Sequence, residues 1–333
     1  MAELRWGVFL PQGWRMDLVD IADPVQQFET IVRCAREAEA AGFHSVWLYD
    51  HFHTVPRPSL ESCFECWTAT AALARETSRI RLGQMVTCNS FRQPSLLAKM
   101  ASCVDVMSGG RVIVGVGAGW YRDEYEGYGF PYPDTPERLR QLREAVEVLR
   151  RMWTEDRATF EGQRYRLSGA INQPKPLQRP HPPLWIGGGG ERVTLRLVAQ
   201  TADGCNVGGG DPDVVRHKLG VLGRHCEALG RDPAEIVKSS SIEDVVIGDP
   251  AEVARVERDV ARRRGIAESD YRERYHGAPE AVAGRIQELV DAGIDYVVVY
   301  LGNVTEPGAI ERFAREVFSR VGVRGTPRGD ARS

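Results

Sequence analysis

VQQFETIVRCAREAEAAG (residues 25–42) runs, two residues later, into SVWLYDHFHT (45–54), and this pair decides the fold. The first piece repeats apolar side chains every 3.6 residues and stops at Gly42, as an amphipathic helix with a glycine terminator does. The second begins with Val46, Trp47 and Leu48, a short apolar run suited to a buried strand. It then breaks into Tyr49, Asp50, His51, Phe52 and His53. A helix feeding a buried strand that empties into titratable groups and aromatics is the repeating unit of an α/β fold with its chemistry at the strand ends.

The unit recurs. Apolar, β-rich runs stand at 4–10, 45–49, 80–88, 111–118, 183–188, 204–208, 238–248 and 295–301. Helical periodicity fills the intervals, in SLLAKMASCVDVMSGG, TPERLRQLREAVEVLRRMW, RVTLRLVAQTA and APEAVAGRIQELVDAG among others. Eight strands alternating with helices predict an α/β fold, a (β/α)8 TIM barrel. An open doubly wound sheet also alternates, but no G-x-G-x-x-G opens a helix after the first strand. The 333 residues exceed the ~250 of a minimal barrel. Part of the surplus is an insertion at about 154–182, after the fourth helix, where ATFEGQRYRL reads as a hairpin turning at Gly162 ahead of the proline-rich NQPKPLQRPHPP. The rest is a charged helical excursion at about 249–277, whose Arg262–Arg264 run reads as a solvated face. Residues 1–320 then form a single TIM-barrel domain, and 321–333 a disordered tail.

The 42% hydrophobic content supports a large core, and a net charge of −3 leaves no electrostatic footprint for nucleic acid or a membrane surface. MAELRWGVFLPQG does not read as a signal peptide, and no apolar run nears the ~18–20 residues that span a bilayer. A soluble, cytoplasmic protein is expected. Seven cysteines, an odd number scattered through helices and strands, form no disulfide framework. Cys63 and Cys66 make a lone C-x-x-C without the second pair that a four-ligand zinc site needs, and read as two ordinary helix cysteines.

Three further strand ends carry chemistry. GVGAGWYRDEY (115–125) bares the backbone at Gly115, Gly117 and Gly119, where a flat ligand can approach closely. WIGGGGERVT (185–194) runs four glycines into a helix start, whose free N–H groups suit a phosphate. VTCNSFRQP (86–94) brings Cys88, Asn89 and Arg92 to the same mouth. Either glycine run alone is a weak signal; both on the carboxyl face of a barrel point to a phosphorylated planar cofactor. His51 is placed to exchange a proton, since imidazole titrates near ~6.5, with His53 in reserve. His181, His217 and His225 fall in loop or helical patterns and read as structural or exposed. No His, Asp and Glu set has metal-ligand spacing, so no metal is expected.

WLYDHF, GVGAGWYRDEY, FEGQRYRL…PKPLQRPHPPLWIGGGG, ADGCNV and GAPEAVAGRIQELVDAGIDYVVVYL occur in unbroken order from about Trp6 to about Phe318. The ordered set resembles the luciferase-like monooxygenase superfamily, and within it the members that use the deazaflavin coenzyme F420. The resemblance implies a barrel with an insertion after the fourth helix, usually a homodimer, with a flavin or deazaflavin across its carboxyl-terminal mouth. It implies that Asp50 contacts the ring system and that His51 donates or accepts a proton. Contacts beneath the ring are implied for Met85, Val86 and Cys88 at the strand-three exit, often with a non-proline cis peptide, which would join Met85 to Val86. Ala118 and Gly119, with Asp123 a little beyond, fall on a coenzyme-contacting segment; Gly189, Gly190, Arg192 and Val193 fall on the phosphate site. One departure matters. The glucose-6-phosphate dehydrogenase branch carries a glutamate straight after the strand-four glycine, where this chain has Trp120. That speaks against sugar-phosphate oxidation and makes Trp120 a wall of the substrate pocket, with Trp14 and Phe52.

The leading expectation is hydride transfer between coenzyme F420 and a small organic substrate. Aromatics near the mouth, Tyr121 and Tyr128 included, favour an apolar or aromatic molecule. An FMN-dependent monooxygenase of the same superfamily is the alternative, and a non-catalytic flavin-binding barrel a third reading. A Schiff-base aldolase is disfavoured, because no lysine stands at a strand end.

Overall fold

Local chemistry sets where the helices begin in the computed structural model, which describes residues 4–271 and 274–322. Asp23, Asp134, Asp211 and Asp249 each turn a carboxylate onto the first free N–H groups of a helix, and a proline follows in the first turn, where a missing donor costs nothing. Gly42, at φ +85°, ends the first helix as expected. The barrel strands are β1 (Arg5–Phe9), β2 (Ser45–Leu48), β3 (Arg81–Gln84), β4 (Val112–Gly117), β5 (Leu184–Gly187), β6 (Gly204–Asn206), β7 (Val237–Ile247) and β8 (Tyr296–Leu301). Every pairing among them is parallel. Val8 stands opposite Val46 on one side and Val299 on the other, and Lys238 opposite Cys205 joins β7 to β6, so the sheet closes. β8 reads YVVVYL with all residues buried, the β-branched run of a strand covered on both faces.

The interior is packed rather than hollow. Trp47 and Trp185 lie 5.0 Å apart between ring centroids, with Tyr296 edge-on to both. Gly7 and Gly83 leave the room that Trp47 takes, and Gly204 leaves room for Trp185; a Cβ at any of the three would strike an indole.

The run at 80–88 is two strands, β3 and the short Thr87–Cys88, separated by a Met85–Val86 peptide that is cis, as the resemblance implied. An unforeseen short helix, Arg122–Tyr128, precedes the helix Thr135–Thr154, which is the fourth when one helix is counted per barrel strand, and the insertion follows it as expected. The insertion is an antiparallel hairpin, Ala158–Glu161 with Arg166–Ala170, and Glu144 collects the N–H groups of Gln163, Arg164 and Tyr165 at its turn. The charged excursion forms the helix Pro250–Arg264 and a short strand, His276–Gly277, beside β7. Val321 is buried in the core, one residue past the expected boundary; beyond Gly322 the expected tail lies outside the described residues. Among the described residues no helix is long and apolar enough to cross a membrane.

Candidate active site

A cavity of about 720 Å³ opens at the carboxyl ends of β1 to β7, within the size range of organic cofactor sites. β2 carries the chain into it without an exposed residue from Ser45 to His51. Asp50 stands there with its carboxylate fully buried. Arg92 grips both oxygens, Nη1 to Oδ2 at 2.6 Å and Nη2 to Oδ1 at 2.9 Å. The Cys88 N–H donates to Oδ2 at 2.8 Å and the Cys66 thiol to Oδ1 at 3.2 Å. These donors fill the acceptor sites of a carboxylate. Asp50 therefore ties β2 to the strand-three exit while it lines the cavity.

Burial opposes the Arg92 charge, but Asp50 outweighs it and holds the guanidinium above its ordinary pKa. Burial, reinforced by Asp50, pushes the Cys66 thiol well above its usual range, and burial also raises Cys63. Burial thus disfavours the thiolate at both. Asp50, Glu65 and Cys66 cluster closely, yet Arg92 already supplies their positive partner, touching Glu65 as well as Asp50.

One residue on, His51 is 9% exposed and its ring lies flat on Trp14, centroids 4.2 Å apart and planes 4° from parallel. Trp120 and Tyr121 meet it edge-on at 5.8 and 5.9 Å. Nδ1 lies 2.8 Å from Glu124 Oε2; among the described residues nothing hydrogen-bonds Nε2, and the ring lines the cavity. Glu124 exposes no side-chain surface, and its Oε1 accepts from the N–H groups of Phe52 and His53, the latter at 3.0 Å. Sequence reasoning missed Glu124 and chose its neighbour. Asp123 is exposed and away from the cavity, because successive residues on a helical turn point roughly 100° apart. His53 turns towards Tyr128 and does not line the cavity. His181, His217 and His225 serve as local hydrogen-bonding groups, to Pro182 and Glu191.

Val86 accounts for the glycines. A Cβ at Gly117 would come within 2.6 Å of Val86 Cγ2, one at Gly187 within 2.8 Å of Cγ1, and one at Gly115 would strike the Gln84 carbonyl oxygen. The bare backbone thus houses the Val86 side chain, which with Met85 forms an apolar shelf in the cavity wall. Beside it, burial pushes the Cys88 thiol up to about 12.

The glycine run after β5 also differs from expectation. Its helix begins only at Thr194, so Glu191 to Val193 intervene. Gly188 and Thr194 line the cavity; Gly189, Gly190, Arg192 and Val193 do not, and the last two are exposed. Arg15, a second omission, lines the cavity, stacks over Trp14 at 5.0 Å and pairs with Glu243 and Asp244. Asp244, at φ +56° on a β7 bulge, is gripped by Arg264 at 2.6 and 2.8 Å. Adjacent acids inside a strand pattern, SIEDVVIG, were the available signal.

Residues 4–296 match the family model described as luciferase-like monooxygenase. The chain belongs to that family. An F420-dependent glucose-6-phosphate dehydrogenase of Kineococcus radiotolerans is 29% identical over 320 aligned positions, covering 85% of this chain and 90% of the relative. An FMNH(2)-dependent dimethylsulfone monooxygenase of Pseudomonas putida is 25% identical over 321, covering 87% and 86%. A solved F420-dependent secondary alcohol dehydrogenase, in complex with an F420–acetone adduct, shares the fold at TM-score 0.75 and 22% identity, over 96% of this chain and 98% of that one. This luciferase-like chain gathers Trp14, Asp50, His51, Met85, Val86, Cys88, Ala118, Gly119 and Trp120 at one cavity. Phe52 and Tyr128 are the exceptions among the expected aromatics, packing on each other at 4.5 Å, with Phe52 also 4.7 Å from Phe91, outside the cavity lining.

Proposed function

We propose that the protein is an oxidoreductase that passes a hydride between coenzyme F420 and a small organic substrate, with His51 giving or taking the accompanying proton. The observation that carries this is the imidazole, held at Nδ1 by a buried carboxylate and open at Nε2 to the cavity. Hydride arriving at or leaving a carbon must be matched by a proton, and an imidazole is a side chain that can give or take one. Relatives named as F420-dependent dehydrogenases support the choice of coenzyme. The residues fit a flat ring: the volume suffices, Met85 and Val86 present an apolar shelf, and Gly187 and Gly188 keep the β5 end free of side chains. Bound there, the deazaflavin would supply or take up the hydride. Trp14 and Trp120 then wall the remaining space, which favours an apolar or aromatic substrate over a sugar phosphate. A homodimer is part of the reading, on the strength of the resemblance, and sedimentation equilibrium tests it; a cytoplasmic location is carried with it as an expectation.

The second reading, an FMN-dependent monooxygenase, is supported by the dimethylsulfone monooxygenase relative. Titration of the protein into F420 and into FMN, followed by quenching of cofactor fluorescence, separates the two. Tighter F420 binding is expected; micromolar FMN binding without F420 binding transfers the protein to the second reading.

A further inference from the structure

A histidine can present a lone pair to a substrate only if its other nitrogen carries the proton. In this site that choice is made by one side chain. Three N–H groups converge on Glu124: Phe52 and His53 N–H on Oε1, and the His51 ring at 2.8 Å from Oε2. An ionised carboxylate only accepts, so Nδ1 must be the donor, and in the neutral ring Nε2 is the bare nitrogen. Trp14, stacked 4.2 Å from the imidazole, fixes the plane of the ring, and Glu124 fixes its rotation within that plane. The other Glu124 oxygen is anchored by the two residues that follow His51, so the dyad is braced by the histidine's own loop.

We propose that Glu124 is the positioning residue for His51: it imposes the Nδ1–H tautomer, aims Nε2 into the cavity as an acceptor, and stabilises the ring when it has taken a proton. This rests on His51 being the proton carrier. The carboxylate neither touches substrate nor loses its own place in the step. Nε2 accepts the proton, Nδ1–H stays bonded to Glu124, and the positive charge on the ring faces the carboxylate; in the reverse direction the same proton returns from Nε2.

Glu124→Gln tests this. Its carbonyl can still accept from the Phe52 and His53 N–H groups, but its amide nitrogen faces Nδ1 as a donor and forces the ring to carry its proton on Nε2. The measurement is a multiple-bond proton–nitrogen correlation spectrum of the full chain labelled with ¹⁵N-histidine, free of coenzyme, at mildly alkaline pH. The His51 signals are those missing from the His51→Asn protein. Wild type is expected to show a protonated Nδ1 and a bare Nε2, and Glu124→Gln the reverse, with unchanged circular dichroism. Once a substrate is in hand, kcat of Glu124→Gln should fall as far as that of His51→Asn, about 10²–10⁴-fold, with KM little changed. Protonation on Nε2 in wild type, as when an un-ionised Glu124 donates to Nδ1, overturns the proposal; so does the same tautomer in both proteins. If Glu124→Gln does not fold, the wild-type spectrum decides alone. A protein that binds neither F420 nor FMN would refute the proposed function and leave the tautomer result standing.

Discussion

At the amino-terminal end of the barrel, Arg111 is buried and commits all five of its side-chain N–H donors. They go to Ser108 O, Thr77 Oγ1, Ile80 O, Ala74 O and Thr77 O, at 2.6–3.0 Å. Asp105, also buried, accepts from the Leu177 and Gln178 N–H groups and from the Gln178 side chain. At the carboxyl end His51 commits one nitrogen and leaves the other open. The same kinds of residue do opposite work. Below, polar groups are closed onto backbone and hold loops to strands; above, a few are left incomplete at a cavity, where an incoming molecule can complete them.

The sharpest test of that contrast is His51→Asn, which should lower kcat by about 10²–10⁴-fold, or about 3–5 kcal/mol on the barrier, while coenzyme affinity and melting temperature hold. Steady-state kinetics beside a melting curve would show it; a fully active variant would make His51 a structural exit residue. Asp50→Asn blurs the boundary between the two ends. It lies at the mouth but is closed like Arg111, so it should leave the buried Arg92 with Glu65 as its remaining anionic partner and cost up to about 3 kcal/mol in urea unfolding. Arg111→Met should cost stability too, and coenzyme binding in its folded fraction should be normal. Lost affinity with intact stability in Asp50→Asn would return that carboxylate to the ring.

A smaller effect belongs to the lower end alone. Burial, with Arg81 and Arg5 adding repulsion, pulls His44 down to about 4. The unfolded chain takes up that proton near ~6.5 and the folded one resists it, so stability is whole above the upper value and drains away as pH falls towards the lower one. Unfolding curves at pH values across that window should flatten in His44→Gln; an unchanged slope would clear His44. Smallest of all is Gly189→Val. Its Cβ would meet only the aliphatic chain of Lys218, at 3.4 Å, away from the cavity. Coenzyme affinity should barely move, and a large loss would restore the phosphate to that loop.

The barrel was legible because it is written in local repeats: a helical period of 3.6, in several cases a glycine stop, then an apolar run. The strand exits were legible for the same reason, which is why Asp50, His51, Met85 and Val86 meet at one cavity. What escaped was orientation and long-range partnership. Asp123 and Glu124 are chemically near-equivalent neighbours, and only the phase of a short helix selects the inward one. The donors that occupy Asp50 come from Cys66, Cys88 and Arg92, far along the chain, and nothing in WLYDHF announces them. Phe52 could have faced the mouth, but it packs instead on Phe91 and Tyr128.

The cradle around Val86 carries a consequence for inheritance. Gly117 and Gly187 each leave space that the two methyl groups of one valine occupy. None of these positions can therefore drift alone: a side chain arriving at 117 or 187 is tolerated only in a chain whose residue 86 has already shrunk, and a bulkier residue at 86 only where the shelf has been rebuilt. Among descendants of this sequence the three positions should change as a linked set. A mutant library that varies them one at a time will recover few working proteins, whereas one that varies them together samples every shape of shelf this cavity can adopt.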